Sequence, residues 1–395
     1  MSIYRNRNLQ VIFGVTLMNI MGVSAISPAL PKMASVLNVP AESIGLIIAF
    51  YTLPGVLLAP LIGMLADRLG RKETLIPCIL LFGFAGIALY LAADFQLILA
   101  LRFIQGIGGA GLASLAVTLI GDLFHGSTRI KAMGANASII SIGTASFPII
   151  GGALGLLAWN LPFLLFVVAF PIAALAYLFL ENPAVTRELG ISLYLRGTFT
   201  YMRSPKALAA FFAGISAFML LYGGIITFFT ILLGETFGVT SFVIGVFLSI
   251  MSLFTAVFAS QTGRLAGRIA KPKLIIIGFL AYGFSFIMIP FTTSLPNLLL
   301  PIAIFGAGHG LNLPALNLIA TEIAPVEQRA VVVSLFNTTL RIGQTLGPVL
   351  LGMVLLLSDL ETVFLFSGAV AILTAVVIFG LASFKIINTT SLQAA

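Results

Sequence analysis

Three ionisable side chains lie within stretches of sequence that are otherwise apolar. Arg102, Arg341 and His309 each fall inside a long uncharged run, in a chain of which only 8% of residues are Asp, Glu, Lys or Arg. A charge in such a position is costly to bury and is a candidate functional residue. For Arg102 the alternative is a side chain that reaches toward the water interface. For His309 the alternative is a hydrogen-bonded structural residue.

Polar side chains recur at helical spacing beside these residues. Gln105, Asn312 and Gln344 each follow one of them by three positions, which places each pair on one face of a helix. We therefore predict a polar cavity lined by these helix faces, with His309 as a candidate proton carrier. The predicted cavity residues are Asn19, Tyr51, Gln105, Asn136, Ser141, Asn312, Asn337, Arg341 and Gln344.

Carboxylates are missing from the interiors of the apolar runs. The 12 Asp and Glu residues lie in loops or near the ends of runs, and Glu235 comes nearest to an interior. A cavity with arginine and histidine but no acid is electropositive, which favours a neutral or anionic ligand over a cationic one.

The motifs of common enzymes and metal sites do not occur in the sequence. Two histidines and one cysteine offer no metal-site spacing. The Gly-x-Gly stretch near residue 106 lies inside an apolar run rather than after a strand, so a dinucleotide site is not expected. We expect no catalytic residues, no metal and no cofactor.

Composition indicates how these residues are positioned. A mean hydropathy of +1.16 and continuous apolar runs are typical of helices that cross roughly 30 Å of hydrocarbon. The sequence predicts twelve such spans and so an all-α membrane protein. The spans are 9–29, 44–63, 75–93, 97–120, 132–157, 161–180, 208–232, 241–262, 274–292, 296–320, 331–357 and 362–384.

The distribution of positive charge predicts the orientation. Nearly all of the 20 Lys and Arg residues fall on one side of the predicted spans, with Lys32 on the other. Cytoplasmic loops carry such an excess, so we expect a multi-pass protein of the cell membrane with both termini in the cytoplasm. The pI near 9.8 then reflects topology and does not indicate nucleic-acid binding.

The two halves of the chain match when one is shifted by 200 residues. Such repeats are typical of transporters whose halves move around a central site. We predict two pseudo-symmetric six-helix halves at 1–181 and 207–395, joined by a cytoplasmic linker at 182–206. The matched pairs are Gly106/Gly306, Gly108/Gly308, Asp122/Glu322, Arg129/Arg329, Gly143/Gly343, Pro148/Pro348 and Gly152/Gly352.

One charged segment is specific enough to suggest a family. The residues Gly63, Leu65, Ala66, Asp67, Arg68, Gly70, Arg71 and Lys72 resemble the motif that the major facilitator superfamily carries between its second and third helices. The resemblance covers the whole chain. It implies a cytoplasmic gate made by Gly63, Asp67, Arg68, Gly70, Arg71 and Asp122. The alternative is a solvated loop. The second copy has Gly267 in place of the acid, so we expect a weaker gate there.

Two further motifs are similar to those of the twelve-helix drug or metabolite:proton antiporters in that superfamily. Arg102 with Gln105 resembles the fourth-helix motif, whose arginine is implicated in proton coupling. The fifth helix has Phe147-Pro148 where the antiporter motif has Gly-Pro. The alternative is the ordinary glycine enrichment of membrane helices. The residues expected to pack helices through these motifs are Gly134, Gly143, Pro148, Gly151, Gly152, Gly343, Gly347 and Pro348.

These features together predict a secondary active transporter that works by alternating access. We expect a monomer in the lipid bilayer that exports a small amphiphilic drug or metabolite in exchange for protons. The alternatives are a flippase or carrier of an anionic lipid-like molecule and a proton-independent facilitator. A membrane receptor, an intramembrane enzyme or a channel has less support, because neither an extra domain nor a catalytic motif occurs.

Overall fold

The computed structural model describes residues 3–183, 203–324 and 328–383, and all regular elements in these ranges are helical. Most of the predicted linker, at 184–202, lies outside the described residues. Twelve helices are long and apolar enough to cross a membrane. We number them α1 to α12: Arg7–Leu37, Ala41–Leu69, Arg71–Leu91, Phe95–Leu123, Gly126–Leu157, Leu161–Phe179, Pro205–Thr236, Ser241–Ala266, Lys271–Met288, Pro296–Thr321, Val332–Leu357 and Leu360–Ser383.

Each predicted span corresponds to one helix, so the all-α, twelve-helix fold class is confirmed. The largest difference is at α1, which was predicted to end at 29 and continues to Leu37. A short 3₁₀ turn, Ser27–Ala29, connects two α-helical segments, and Pro28 and Pro31 each lie in the first turn of a segment. Proline is tolerated there because those backbone N–H groups have no helical acceptor. The helix ends at Asn38, which adopts a left-handed conformation with φ 52°.

The chain forms two compact units. The first contains Met1–Arg187 and Phe229–Ser249, and the second contains Glu188–Phe228 and Ile250–Ala395. In the first unit α4 packs against α2 and α3, and α1 packs against α5. In the second unit α9 packs against α10 and α12, and α7 packs against α11.

Close helix crossings recur in both units at positions 200 residues apart. A Cβ atom on Gly106 would lie 2.2 Å from the carbonyl oxygen of Tyr51, and one on Gly306 would lie 2.4 Å from that of Met251. Only glycine allows helices to approach this closely. The repeat read from the sequence therefore corresponds to the same backbone crossing in each unit.

Helix α7 departs from regular α-helical winding. It is π-helical over Leu220–Phe229 and again over Leu232–Thr236. A Cβ on Gly224 would lie 2.5 Å from the ring of Phe286, so the backbone packs directly on an aromatic side chain of α9. Hydropathy and residue spacing did not predict this change of winding, which is often found at functional sites.

Candidate functional site

Arg102 is fully buried in the first unit and is held by three other helices. Its Nη1 donates to Gln105 Oε1 at 2.7 Å and to the carbonyl oxygen of Gly22 at 3.0 Å. The guanidinium carbon lies 5.1 Å from the ring centroid of Tyr51 and 5.6 Å from that of Phe163. With 0% of its surface exposed, Arg102 does not reach the water interface. The alternative in which the Arg102 side chain reaches toward the water interface therefore does not fit the structure.

Glycines make room for the tyrosine beside this guanidinium. A Cβ on Gly22 would lie 2.2 Å from the Tyr51 hydroxyl oxygen, and one on Gly109 would lie 2.7 Å from it. The hydroxyl donates to the carbonyl oxygen of Asn19 at 3.4 Å. The structure thus brings four predicted residues together, Asn19, Tyr51, Arg102 and Gln105, where α1, α2 and α4 meet.

This cluster has more hydrogen-bond donors than acceptors. Among the described residues, no partner is present for Arg102 Nε, Arg102 Nη2 or Gln105 Nε2, and no carboxylate lies within ion-pair distance of Arg102. Buried polar groups are normally hydrogen-bonded, and an uncompensated buried charge is strongly unfavourable. The arrangement suits a group that brings acceptor atoms or negative charge.

The two predicted cavity residues of α5 have local partners instead. Asn136 is buried, and its Oδ1 accepts a 2.8 Å hydrogen bond from the hydroxyl of Thr16 on α1. Ser141 donates to the carbonyl oxygen of Ala137 in its own helix at 3.2 Å. Asn136 therefore ties α5 to α1. In the described part of the chain, no hydrogen bond joins either residue to Arg102.

His309 lies among aromatic rings in the second unit. Its Nδ1 is hydrogen-bonded to the hydroxyl of Tyr282 on α9. The ring of Phe305 stacks at 6.4 Å between centroids, and that of Phe218 meets the imidazole edge-on at 5.8 Å. Asn312, one turn further along α10, is fully buried. His309 thus has the hydrogen-bonded surroundings of the structural alternative, and its predicted role in proton coupling stays a prediction.

The third polar stripe lies along α11 in the second unit. Arg341 and Gln344 are half-buried, and Asn337 is exposed. Nothing in the described contacts separates a ligand-binding role for this stripe from a structural one, so these three positions stay predictions.

The charged motif forms a compact ion-pair network in the first unit. Arg71 Nε lies 2.9 Å from Asp122 Oδ2, and Arg71 Nη1 contacts Asp67 Oδ1. Gly70 connects α2 to α3 with φ +115°, a conformation that favours glycine. The network therefore links the end of α2, the start of α3 and the end of α4, as the sequence suggested. Its role as a gate stays a prediction.

Two other motif residues do not take part in this network. Gly63, which the resemblance assigns to the gate, lies inside α2, and a Cβ added there would meet nothing within 4 Å. The turn between α2 and α3 is made at Gly70 instead, and the gate role of Gly63 stays a prediction. Arg68 is exposed.

The second copy of the motif keeps more than its sequence indicated. Lys271 pairs with Glu322, and Lys206 lies 3.6 Å from the same carboxylate. Lys271 and Glu322 stand 200 residues after Arg71 and Asp122. The loss of the acid at Gly267 therefore did not remove the ion pair between the start of one helix and the end of the next.

Most glycines of the antiporter-like motif pack against backbone. Cβ atoms would lie 1.8 Å from the Ala25 carbonyl oxygen at Gly151 and 2.4 Å from the Ser241 carbonyl oxygen at Gly152. Gly134 is different, because a Cβ there would meet nothing within 4 Å. The helix-packing role predicted for Gly134 was therefore wrong. Gly143 packs against Leu17 and Ile20, Gly343 against Ile215, Gly347 against Met219 and Pro148 against Gly245, and Pro348 is buried.

Sequence reasoning missed several residues that complete these clusters. Gly22 supplies a carbonyl acceptor, Phe163 supplies a ring over Arg102, and Thr16 anchors Asn136. Thr16 lies three positions before Asn19, so a wider search of that helix face would have found it. Tyr282 stands 200 residues after Phe82, and the polar difference between the two repeats was a usable signal.

Comparison with known families decides the class of protein. The family model described as Major Facilitator Superfamily matches residues 12–232 and 207–392. The chain belongs to the Major Facilitator Superfamily. It is therefore an integral multi-pass membrane transporter of small molecules rather than an enzyme.

Its relatives in the superfamily include exporters. The chain is 28% identical to the bacillibactin exporter of Bacillus subtilis (strain 168), over 87% of this chain and 88% of that protein. It is 24% identical to the class B tetracycline resistance protein of Escherichia coli, over 88% of each.

Solved structures agree on the fold. The nucleoside transporter NupG superposes with a TM-score of 0.77 at 14% identity, over 95% of this chain and 99% of that one. The human organic anion transporter MFSD10 superposes with a TM-score of 0.68 at 21% identity, over 94% of this chain and 99% of that one. At these identities the likeness concerns the major facilitator fold alone.

Proposed function

We propose that this transporter exports a small amphiphilic drug or metabolite in exchange for protons, by alternating access. Neutral or anionic substrates are favoured over cationic ones. The observation that carries the proposal is the buried Arg102 cluster, which has unpaired donors and no carboxylate partner among the described residues. Such a site is suited to an acceptor-rich or anionic group.

The relatives support the direction of transport. One is named for exporting bacillibactin and others for resistance to tetracycline, and a further relative is named multidrug resistance protein 2. These names favour export as the direction of transport.

The ion pairs at the helix ends support alternating access. A network of Asp67, Arg71 and Asp122 in the first unit and a pair of Lys271 and Glu322 in the second are partly exposed and sensitive to salt. Contacts of this strength can form and break as a transporter changes state. We propose that the first network contributes to the cytoplasmic gate.

Orientation follows from the charge bias, and we propose that both termini are cytoplasmic. The native chain has a single cysteine, Cys78, which is buried. In a Cys78→Ser background, a cysteine at Glu361 should react with a membrane-impermeant maleimide added to intact cells, and one at Arg268 should not. The reverse labelling would overturn this orientation.

The central experiment uses purified protein in proteoliposomes that contain a pH-sensitive dye. Addition of bacillibactin or tetracycline is expected to drive proton movement in the wild type. Arg102→Met should abolish the coupled signal, because it removes the buried charge and its donors while keeping an unbranched apolar stem. Arg268→Met is the matched control, since it deletes an exposed arginine. Its signal should stay that of the wild type.

The outcomes separate the candidate functions. Substrate movement without proton movement would refute antiport and favour a facilitator. Full coupling in Arg102→Met would refute the role of the arginine. A flippase of an anionic amphiphile is the second candidate, favoured by the same positive cluster. It predicts transfer of a fluorescent anionic lipid between leaflets instead of release of a water-soluble substrate.

A further inference from the structure

A cavity lies at the end of the first unit opposite the charged motif. Its volume is about 580 Å³, within the usual range of sites for drug-sized ligands. Its walls come from the last segment of α1 with the residues just after it, from the end of α5, and from residues 234–244, all within the first unit. Residues 234–244 run from the last turn of α7 to the first turn of α8 and are called the α7–α8 connection here. The polar and charged side chains that line it are Lys32, Ser35, Glu235, Thr240 and Ser241.

Close packing fixes the wall that the α7–α8 connection contributes. A Cβ on Gly234 would lie 2.4 Å from Pro31 Cβ, and one on Gly155 would lie 3.2 Å from Ser241 Cβ. The connection is therefore seated directly on α1 and α5. A ligand in the cavity would touch all three segments.

The positively charged side chain at this cavity, Lys32, already has hydrogen-bond partners in the protein. Lys32 Nζ donates to the carbonyl oxygens of Gly155 and Leu156, each at 3.0 Å. These carbonyls belong to the last turn of α5, where the helix dipole is negative. The donors of Lys32 are therefore directed at the helix end, whose partial negative charge offsets part of the lysine's positive charge.

The carboxylate at this cavity, Glu235, has no cationic partner among the described residues. Glu235 lines the cavity and is exposed, and the Glu42 carboxylate is close enough to interact with it electrostatically. Among the described residues, neither acid forms an ion pair. The remaining lining is largely apolar, with Pro31, Val39, Leu156 and Ile244 among it.

We propose that this cavity binds an organic monocation with an apolar body. Glu235 would pair with the cation, and the apolar wall would cover its body. This preference is opposite to that of the Arg102 cluster, so the cavity is a binding site separate from the transport site. A ligand that bridges α1, α5 and the α7–α8 connection stabilises the conformation in which these segments are packed together.

Equilibrium binding of radiolabelled tetraphenylphosphonium to the purified full-length protein in detergent tests the proposal. Saturable binding is expected, with an affinity that falls about tenfold in Glu235→Gln, as expected when one charge pair is lost at a partly exposed site. Glu235→Asp should keep most of the affinity. Ser35→Trp should block binding, because the indole ring would occupy part of the cavity. Glu361→Gln, which removes an exposed acid outside the cavity, should bind as the wild type does.

Two controls make the result decisive. Tetraphenylborate has the same shape and the opposite charge, so it should not compete. Arg102→Met should bind normally, which distinguishes failure of this site from failure of the proposed transport function. Each of three results would overturn the proposal: binding that does not saturate, equal affinity in Glu235→Gln and the wild type, or competition by tetraphenylborate. Size-exclusion profiles of all variants establish that they are folded.

Discussion

Helix α5 offers one substitution at two positions with opposite expected effects. Gly151 and Gly134 lie in the same helix, and both belong to the antiporter-like motif. A Cβ at Gly151 would lie 1.8 Å from the carbonyl oxygen of Ala25, whereas one at Gly134 would meet nothing within 4 Å. Replacement by alanine should therefore destabilise the protein at Gly151 and stabilise it at Gly134.

The distance between Gly151 and the backbone of α1 sets the size of the expected change in stability. Ordinary contact begins near 3.4 Å, so α1 and α5 must separate by about 1.6 Å to admit a methyl group at Gly151. Extra atoms in a packed core cost about 1–3 kcal/mol, and the obstruction here is backbone, which favours the upper value. Alanine in place of glycine returns about 1 kcal/mol in a helix. We expect a net loss of about 2 kcal/mol for Gly151→Ala and a gain of up to about 1 kcal/mol for Gly134→Ala.

The midpoint temperature of thermal unfolding is measured for both variants and the wild type. The purified protein is in detergent, and unfolding is followed by the fluorescence of an added dye. The expected shifts are roughly 5 °C downward for Gly151→Ala and about 2 °C upward for Gly134→Ala. Equal shifts, or a stable Gly151→Ala protein, would refute the reasoning, because they would mean that α1 and α5 are not in backbone contact at Gly151.

Three further substitutions, one of them a control, test the polar contacts. Thr16→Val removes the donor to the buried Asn136 and should lower the free energy of unfolding by about 1–3 kcal/mol. Thr118→Val, whose hydroxyl donates within its own helix, should stay within about 0.5 kcal/mol of the wild type in the same unfolding assay. Glu322→Gln removes the acid shared by two lysines. It should change stability by less than about 1 kcal/mol but slow transport in proteoliposomes, and an unchanged rate would argue against a gating role.

The spans were predictable because hydropathy is an average over many residues. Each run of about twenty apolar residues has one low-energy solution in hydrocarbon, a helix. Prediction was wrong at the end of α1, which was expected at residue 29, whereas the helix continues past Pro28 and Pro31 to Leu37. Proline ends a helix only when its position needs a backbone donor, and spacing alone does not tell which positions do. The π-helical winding of α7 over Leu220–Phe229 was also not predicted, because neither hydropathy nor residue spacing distinguishes it from an α-helix.

The candidate site was predictable on each helix but not between helices. Residue spacing placed Arg102 and Gln105 on one face, and their side chains do hydrogen-bond. It carried no information on the neighbours, so the carbonyl of Gly22 and the ring of Phe163 were missed. Backbone acceptors and aromatic faces leave no polar mark in a hydrophobic sequence. The partner of a buried charge is then found only once the helices are packed.

The duplication shows which of these properties evolution has held fixed. Gly106 and Gly306 make the same backbone crossing, and the ion pair of Arg71 recurs at Lys271 with a different cation. Packing and charge at helix ends were therefore conserved between the repeats. The buried polar groups were not. The positions equivalent to Arg102 and Gln105 are Ile302 and Phe305, and His309 stands where the first repeat has Gly109. A symmetric scaffold thus carries an asymmetric set of polar groups.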